Sequence, residues 1–287
     1  MGRRRQRPVR AQSVTIMLTP QVIPFTAIVV TFNEAGRLRA CLDSLRVCEQ
    51  IIAVDLGSSD HSVEIAREFG AEVVTHPRVP IGEFVLPKVV PHARHDWILR
   101  FDPDEIFDEQ LAAEISRTIC EHPAAAMIRL PHQYYFIGVP LRTTVWGGVN
   151  HINRVFHRDR VNFVPHVHNA VVAKSGYSIE NADVEGHHAV QHYWVESFSQ
   201  LFEKHRRYIQ LEGPTRLAKG EHFTWWGLMT ESGYSLYYGL FRKRGVLGGW
   251  RGFFLSFFYS WYIAMGKLSL RSTERKTDRR DKENDRA

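Results

Sequence analysis

The 287-residue chain has only three cysteines, Cys41, Cys48 and Cys120, and no two of them form a C-x-x-C pair. That excludes a disulfide scaffold and a cysteine zinc site, and it fits a reducing, cytoplasmic compartment. Both glycine-rich phosphate loops are missing as well. Neither G-x-G-x-x-G nor G-x-x-x-x-G-K-[ST] occurs, so a nucleotide bound here must have its phosphates neutralised by other means. No apolar run reaches the roughly 20 residues of a spanning helix. The arginine-rich start has Pro20 and Pro24 within its apolar stretch and no small-residue cleavage site after it, so it does not read as a secretory signal. Residues 1–20 read as a flexible basic tail, with Met17 as an alternative start.

What is present is an ordinary globular composition, 44% hydrophobic and 24% charged, with a net charge of +6. The excess positive charge is local: Arg3, Arg4, Arg5, Arg7 and Arg10 at the start, and a second group from Arg242 to Arg271. Such patches suit phosphorylated ligands, nucleic acid or an anionic membrane. No recognisable nucleic-acid-binding module accompanies them, so no nucleic-acid partner is expected.

Hydrophobic periodicity sets the order of elements. FTAIVV (25–30) reads as a strand, followed by a helix with Leu38, Cys41, Leu42 and Leu45 at i, i+3, i+4 and i+7. QIIAV (50–54) is a second strand, ending at Asp55. GSSD then opens a helix, with Ser58 or Ser59 as N-cap and Asp60 in its first turn. Glu72–Thr75 and Trp97–Phe101 are further strands, and Asp108 caps a helix carrying Leu111, Ala112, Ile115 and Ile119. Short apolar strands alternating with amphipathic helices predict an α/β fold with a mostly parallel sheet and helices on both faces. Ligands of such sheets bind beyond the carboxyl ends of the strands, where TFNE (31–34), DLGSSD (55–60) and DPDE (102–105) all fall.

The last of these poses a physical question. Three carboxylates within four residues, Asp102, Asp104 and Glu105, end a buried strand, and repulsion and desolvation make that costly unless a cation relieves it. Mg2+ or Mn2+ held by Asp102 and Asp104 would do so, with Pro103 stiffening the backbone between them. A solvated acidic loop is the alternative.

AIVVTFNEAGRLRACLDSLR, IIAVDLGSSDHSVEIAREFGAEVV and DWILRFDPDE together resemble the nucleotide-binding half of family-two inverting glycosyltransferases of the GT-A fold. The branch that contains lipopolysaccharide-core glucosyltransferases is the nearest. The resemblance continues through NRVFHR, HVHNAV, EKHRRYI and the aromatic segment near the end. It implies a Rossmann-like GT-A domain over residues 21–195, with a nucleotide-binding half (21–123) and an acceptor-side half (124–195). A helical extension (196–270) and a disordered charged tail (271–287) follow. It further implies a nucleotide-sugar donor, usually of UDP, and a glycan or glycolipid acceptor of the cell envelope. Thr31, Asn33 and Glu34 would line the nucleoside site, Asp55 would bond the base, and Asp102 and Asp104 would hold metal and diphosphate. Lys88 would face the phosphates, and Arg154 lies in the segment matching the family's R-L-F-R-R. Turn hydrogen bonding by Thr31 and Asn33, and a purely superficial Lys88, are the structural alternatives.

The pattern departs at the catalytic base. The related branch has a glutamate in V-H-E, whereas this chain has Val167-His168-Asn169, and asparagine is not a base. His168 is the replacement candidate, since an imidazole titrates near neutrality. Asp104, Glu105, Asp183 and Glu185 are alternatives. A chain that has lost transfer and kept binding is the rival reading. His166, His168, His187, His188 and His192 also raise a zinc site as a minor alternative. GFFLSFFYSWYIAMG (252–266) reads either as a helix in the membrane interface, giving peripheral contact with the inner face of the cell membrane, or as a core helix.

Overall fold

The computed structural model describes residues 23–79, 81–164, 171–182 and 188–284, with side chains through Arg279. The chain runs β1 (Ile23–Thr31), α1 (Ala35–Ser44), β2 (Cys48–Asp55), α2 (Ser62–Glu68), β3 (Glu72–Thr75), α3 (Leu86–Val89), β4 (Trp97–Phe101), β5 (Glu105–Ile106) and α4 (Gln110–Glu121). There follow β6 (Ala125–Phe136), β7 (Val139–Pro140), β8 (Val149–His157), β9 (Val161–Phe163), β10 (Val171–Ala173), β11 (Ser178–Asn181) and β12 (Val190–Val195). The α-helices that follow among the described residues are α5 (Phe198–Ala218), α6 (Trp225–Tyr237) and α7 (Gly249–Asn284).

The main sheet has the order β3-β2-β1-β4-β8-β6-β12-β5. Its first four strands are parallel, as the alternating pattern predicts, and β8 then enters antiparallel between β4 and β6. Side-chain alternation divides the core. Phe25, Ala27 and Val29 of β1 and Leu99 and Phe101 of β4 face α1 and α4, where they meet Leu38, Leu42, Leu111 and Ile115. Ile28, Ile52 and Ile98 face the other way, against Val85, Leu86 and Val89. Burial of both faces explains why these strands read as continuous apolar runs.

Strands β1 and β2 run a residue or two beyond the sequence reading at each end, and two helical segments differ from it more. The helix after GSSD starts at Ser62, not at Ser58 or Ser59, because Asp60 accepts hydrogen bonds from both Ser62 N (3.0 Å) and Ser62 Oγ (2.6 Å) and holds the preceding residues as a loop. The expected disordered tail from residue 271 is instead helical through Asn284. Extending a nucleated helix is cheap, Arg, Lys and Glu are good formers, and Glu274 Oε1 accepts from Phe223 N (3.1 Å), tying this end to the start of α6.

Segment 252–266 lies in the first half of α7. One side is core, with Leu255 and Phe258 joining Phe136, Trp194 and Leu201, and another side is exposed. α5 continues through Gly213-Pro214, and α7 crosses it there: a Cβ on Gly213 would stand 2.6 Å from Ser269 O and 2.6 Å from Thr273 Oγ1. Gly213→Ala should therefore destabilise the protein by about 1–3 kcal/mol through overpacking, measured by urea unfolding; an unchanged midpoint would show that the crossing gives way freely.

Candidate active site

The three motifs meet at one edge of the sheet. Thr31 and Asp55 are register partners at the ends of β1 and β2, and Val29 pairs with Phe101, which places Asp102 just beyond the same edge. The TFNE and DLGSSD loops are stitched to each other. Asn33, in the left-handed region at φ 56°, accepts from Ser59 N at Oδ1 (2.7 Å) and donates its own N–H to Ser58 Oγ (3.0 Å). Glu34 N donates to Ser62 Oγ and Ala35 N to Asp60 Oδ2, both at 3.0 Å. The first N–H groups of α1 are thus capped from the neighbouring loop, since Glu34 itself makes no side-chain cap. Asp55 is buried and accepts from Gly57 N (3.2 Å) and Ser58 N (3.1 Å), folding its loop back on the strand end. Thr31 Oγ1 is buried without a hydrogen-bond partner.

The acidic triplet is divided in use. Glu105, fully buried, bonds Arg154 Nη2, lies 3.5 Å from His132 Nε2 and accepts from Asp102 N (3.1 Å). Burial pushes its carboxyl up, but Arg154, His192 and His132 outweigh that and hold it well below the usual carboxylate range. Arg154, on β8 and buried, also donates Nη2 to Asp102 Oδ2 (3.0 Å) and Nε to His132 Nε2 (3.2 Å). Burial lowers the pKa of His132, favouring the neutral ring. The cluster's cost is therefore met largely by the protein's own cations. Glu105 lies inside this network with no route to solvent, which removes it from the candidates for catalytic base.

Asp104 points elsewhere. Its Oδ2 lies 3.4 Å from His192 Nε2, 3.6 Å from Lys204 Nζ and 4.0 Å from Arg37 Nη1, and Arg37 is anchored in turn by Glu196 at 2.6 Å. Burial opposes ionisation, yet His192 and Lys204 bring the Asp104 pKa down to about 2. The His192 nitrogens stand close to Asp104 and Glu105 (3.2 Å from the latter) but at angles that make no hydrogen bond, so both are buried and unpartnered. Asp102 is the open member, its side chain 43% exposed.

Of the residues expected from the sequence, the structure brings Thr31, Asn33, Glu34, Asp55, Asp102, Asp104 and Arg154 together at this edge. Sequence reasoning passed over Arg37, His132 and Lys204, although Arg37 and Lys204 lie inside the segments that carry the resemblance, and it weighed His192 only as a zinc ligand. Of the five histidines in the zinc alternative only two are described: His192 lies beside Asp104 and Glu105, and His188 pairs with Asp108 (2.9 Å); no three His, Cys, Asp or Glu side chains converge on a metal site among the described residues. His168, Asn169, His166, His187, Asp183 and Glu185 lie outside the described residues. Lys88 sits exposed on α3, a position that leaves its phosphate contact a proposal. Arg78, exposed beyond β3, stacks over Phe32 at 4.0 Å and adds a cation to the rim that no motif announced.

The family model "Glycosyl transferase family 2" matches residues 26–178, more than half of the sequence, and the chain belongs to that family. It is a glycosyltransferase. An uncharacterized glycosyltransferase of Rickettsia bellii is 24% identical over 257 residues, covering 85% of each chain. A PGL/p-HBAD biosynthesis glycosyltransferase of Mycobacterium tuberculosis is 27% identical over 149 residues, or 48% of this chain and 56% of that one. Among solved structures, glucosyl-3-phosphoglycerate synthase from Mycobacterium tuberculosis, in complex with Mn2+, UDP and glucosyl-3-phosphoglycerate, is similar at a TM-score of 0.42 and 14% identity over 59% of this chain and 72% of that chain.

Removing one partner of the Arg154–Glu105 pair should cost about 3–5 kcal/mol, because the other charge stays buried alone. Arg154→Met is expected to lower the denaturation midpoint sharply, and Arg154→Met/Glu105→Leu to recover part of the loss. A double variant no more stable than the single one would contradict the pairing.

Proposed function

We propose that the protein transfers a sugar from a nucleotide diphosphate, UDP being the expected carrier, to a hydroxyl of a cell-envelope glycan or glycolipid, with inversion at the anomeric carbon. The carrying observation is the convergence of three strand-end loops on a half-exposed Asp102 backed by Arg154, Lys204 and Arg37. An anionic leaving group held there meets fixed positive charge without reorganisation, which is the main requirement for expelling a diphosphate. Thr31, with its unpartnered hydroxyl, and Asn33 and Glu34 line the nucleoside side. Asp55 fixes the DLGSSD loop and retains lone pairs for a base N–H, since each carboxylate oxygen accepts more than one bond.

The site fits a divalent cation of the Mg2+ or Mn2+ kind. Asp102 offers an open carboxylate with Asp104 two residues on, and such ions are bound by one or two carboxylates, with the rest of their shell left to water and substrate phosphates. When bound, the ion would add charge neutralisation at the diphosphate. The protein's own contribution is to hold Asp102 with Arg154, to hold Asp104 against Lys204 and His192, and to keep Glu105 ionised beneath both. Envelope acceptors, and the lipopolysaccharide-core branch in particular, rest on the sequence resemblance. The same reading puts the protein in the cytoplasm, where nucleotide-sugars are made.

Titration calorimetry with UDP, GDP, CDP and dTDP, with and without Mn2+, tests the donor site. Metal-dependent binding of one nucleotide, lost in Asp102→Ala/Asp104→Ala, is expected; no binding of any of them would refute the reading. His168 is the proposed base, because the V-H-E glutamate is replaced by Asn169. His168→Ala should lower turnover by about 10²–10⁴-fold with nucleotide binding unchanged. Full turnover would exclude His168, and nucleotide binding without turnover in the unmutated protein would favour the rival reading, a sugar-nucleotide-binding module that has lost transfer.

A further inference from the structure

The hairpin of α6, the turn at 238–248 and α7 exposes apolar side chains in an ordered pattern. On α7, Trp250, Phe253, Phe257 and Trp261 follow i, i+3, i+7 and i+11, a single helix face, and all four are exposed. The remaining faces of that stretch are occupied: Phe258 packs on His205 of α5 at 4.7 Å, and Ser256 is buried against Gly239 and Gly245 of the turn. α6 repeats the arrangement with Trp226, Met229 and Tyr237, Trp226 being 79% exposed. At the tip between the helices, Leu247 is 73% exposed beside Phe241 and Val246. Burying these side chains against α5 or the sheet is not open to them, since the hairpin already uses its other sides for that contact.

Charge identifies what covers the surface. From Ser232 to Thr273 there is no Asp or Glu, while there are six Lys or Arg. Lys267 is buried with Glu221 and Glu231 and so is neutralised internally. The others lie along the hairpin: Arg242 and Arg244 are exposed at the tip, Lys243 stands 5.8 Å over Tyr238, Arg251 4.6 Å over Trp250 and Arg271 4.6 Å over Trp225. Aromatic rings interleaved with guanidinium groups match the boundary between acyl chains and anionic headgroups, where the ring sits at the interface and the cation reaches phosphate. A second copy of the chain would oppose like charge to like. No described helix is long and apolar enough to cross a membrane, so the fit is to the surface of one.

We propose that the α6–α7 hairpin is a docking surface for an anionic lipid bilayer, with Leu247 and Trp250 entering at the tip, the Phe253, Phe257 and Trp261 face lying in the headgroup region, and Arg242 and Arg244 contacting lipid phosphates. The inference deepens the reading of an envelope acceptor by fixing how the enzyme meets a lipid-borne substrate, and it rests on that reading only for its purpose.

Flotation of the full-length protein with vesicles of phosphatidylcholine alone, and of phosphatidylcholine mixed with phosphatidylglycerol, tests it. The protein is expected to float with the anionic vesicles and about tenfold less with the neutral ones, from the attraction of the exposed cations. Leu247→Glu/Trp250→Glu and Arg242→Glu/Arg244→Glu should each cut binding by about tenfold or more, with circular dichroism and the UDP titration unchanged. Absence of the unmutated protein from both floating fractions, equal flotation of these variants, or conversion of a stable dimer to monomer by the same substitutions would overturn the proposal. Brominated-lipid quenching of tryptophan emission gives a reading without mutation: quenching in anionic vesicles supports insertion, and its absence refutes it. Loss of UDP binding with flotation intact would instead count against the transferase reading and leave the surface standing.

Discussion

The ion pair between Arg154 and Glu105 holds the structure's two halves in register. Arg154 belongs to β8, the strand that enters antiparallel where the parallel sheet ends, and Glu105 belongs to the short strand that follows the acidic loop. Their contact fixes the loop's backbone from below, because Glu105 also accepts from Asp102 N while Arg154 donates to Asp102 Oδ2. A buried charge pair of this kind contributes little net stability, yet it defines one arrangement. Everything above it, the open carboxylate of Asp102 and the Asp104 cluster, takes its position from that pair.

The resulting site gives the three acids of one short run three separate uses. One carboxylate is spent on internal order, one gathers His192, Lys204 and Arg37 from three different elements, and one is left toward solvent. The division explains how the end of a buried strand tolerates such charge density. It also means that positive charge at this edge is structural before it is catalytic, since each cation is already oriented by a carboxylate partner.

Much of this was legible in the sequence. The parallel strands were readable because burial on both faces makes them short continuous apolar runs, and Glu72–Thr75 and Trp97–Phe101 end where expected. The three motifs were readable because each follows such a strand. What was not legible came from distant elements. His192 and Lys204 reach Asp104 from β12 and α5, and no spacing rule connects residue 104 to residue 204. Likewise, Asp60 looked like a first-turn residue of its own helix, and its second oxygen is used across the gap by Ala35 N, a contact that exists only once β1 and β2 lie side by side. The tail was misjudged for the opposite reason: its composition is that of a disordered segment, but it continues a helix already nucleated by packing.

The pairing of β5 with β12 bears on how the chain acquires its form. Residues 105 and 106 find their strand partners at 192 and 191, and residue 104 meets its ammonium partner a hundred positions downstream. During synthesis the nucleotide-side strands can assemble early, from contacts within the first hundred or so residues, while the acidic loop waits, uncompensated, for segments not yet made. Closing such long loops is slow compared with local helix formation. The centre of the site is completed only by β12 and α5, so a nascent chain halted before β12 carries the acidic loop with neither His192 nor Lys204 to face it.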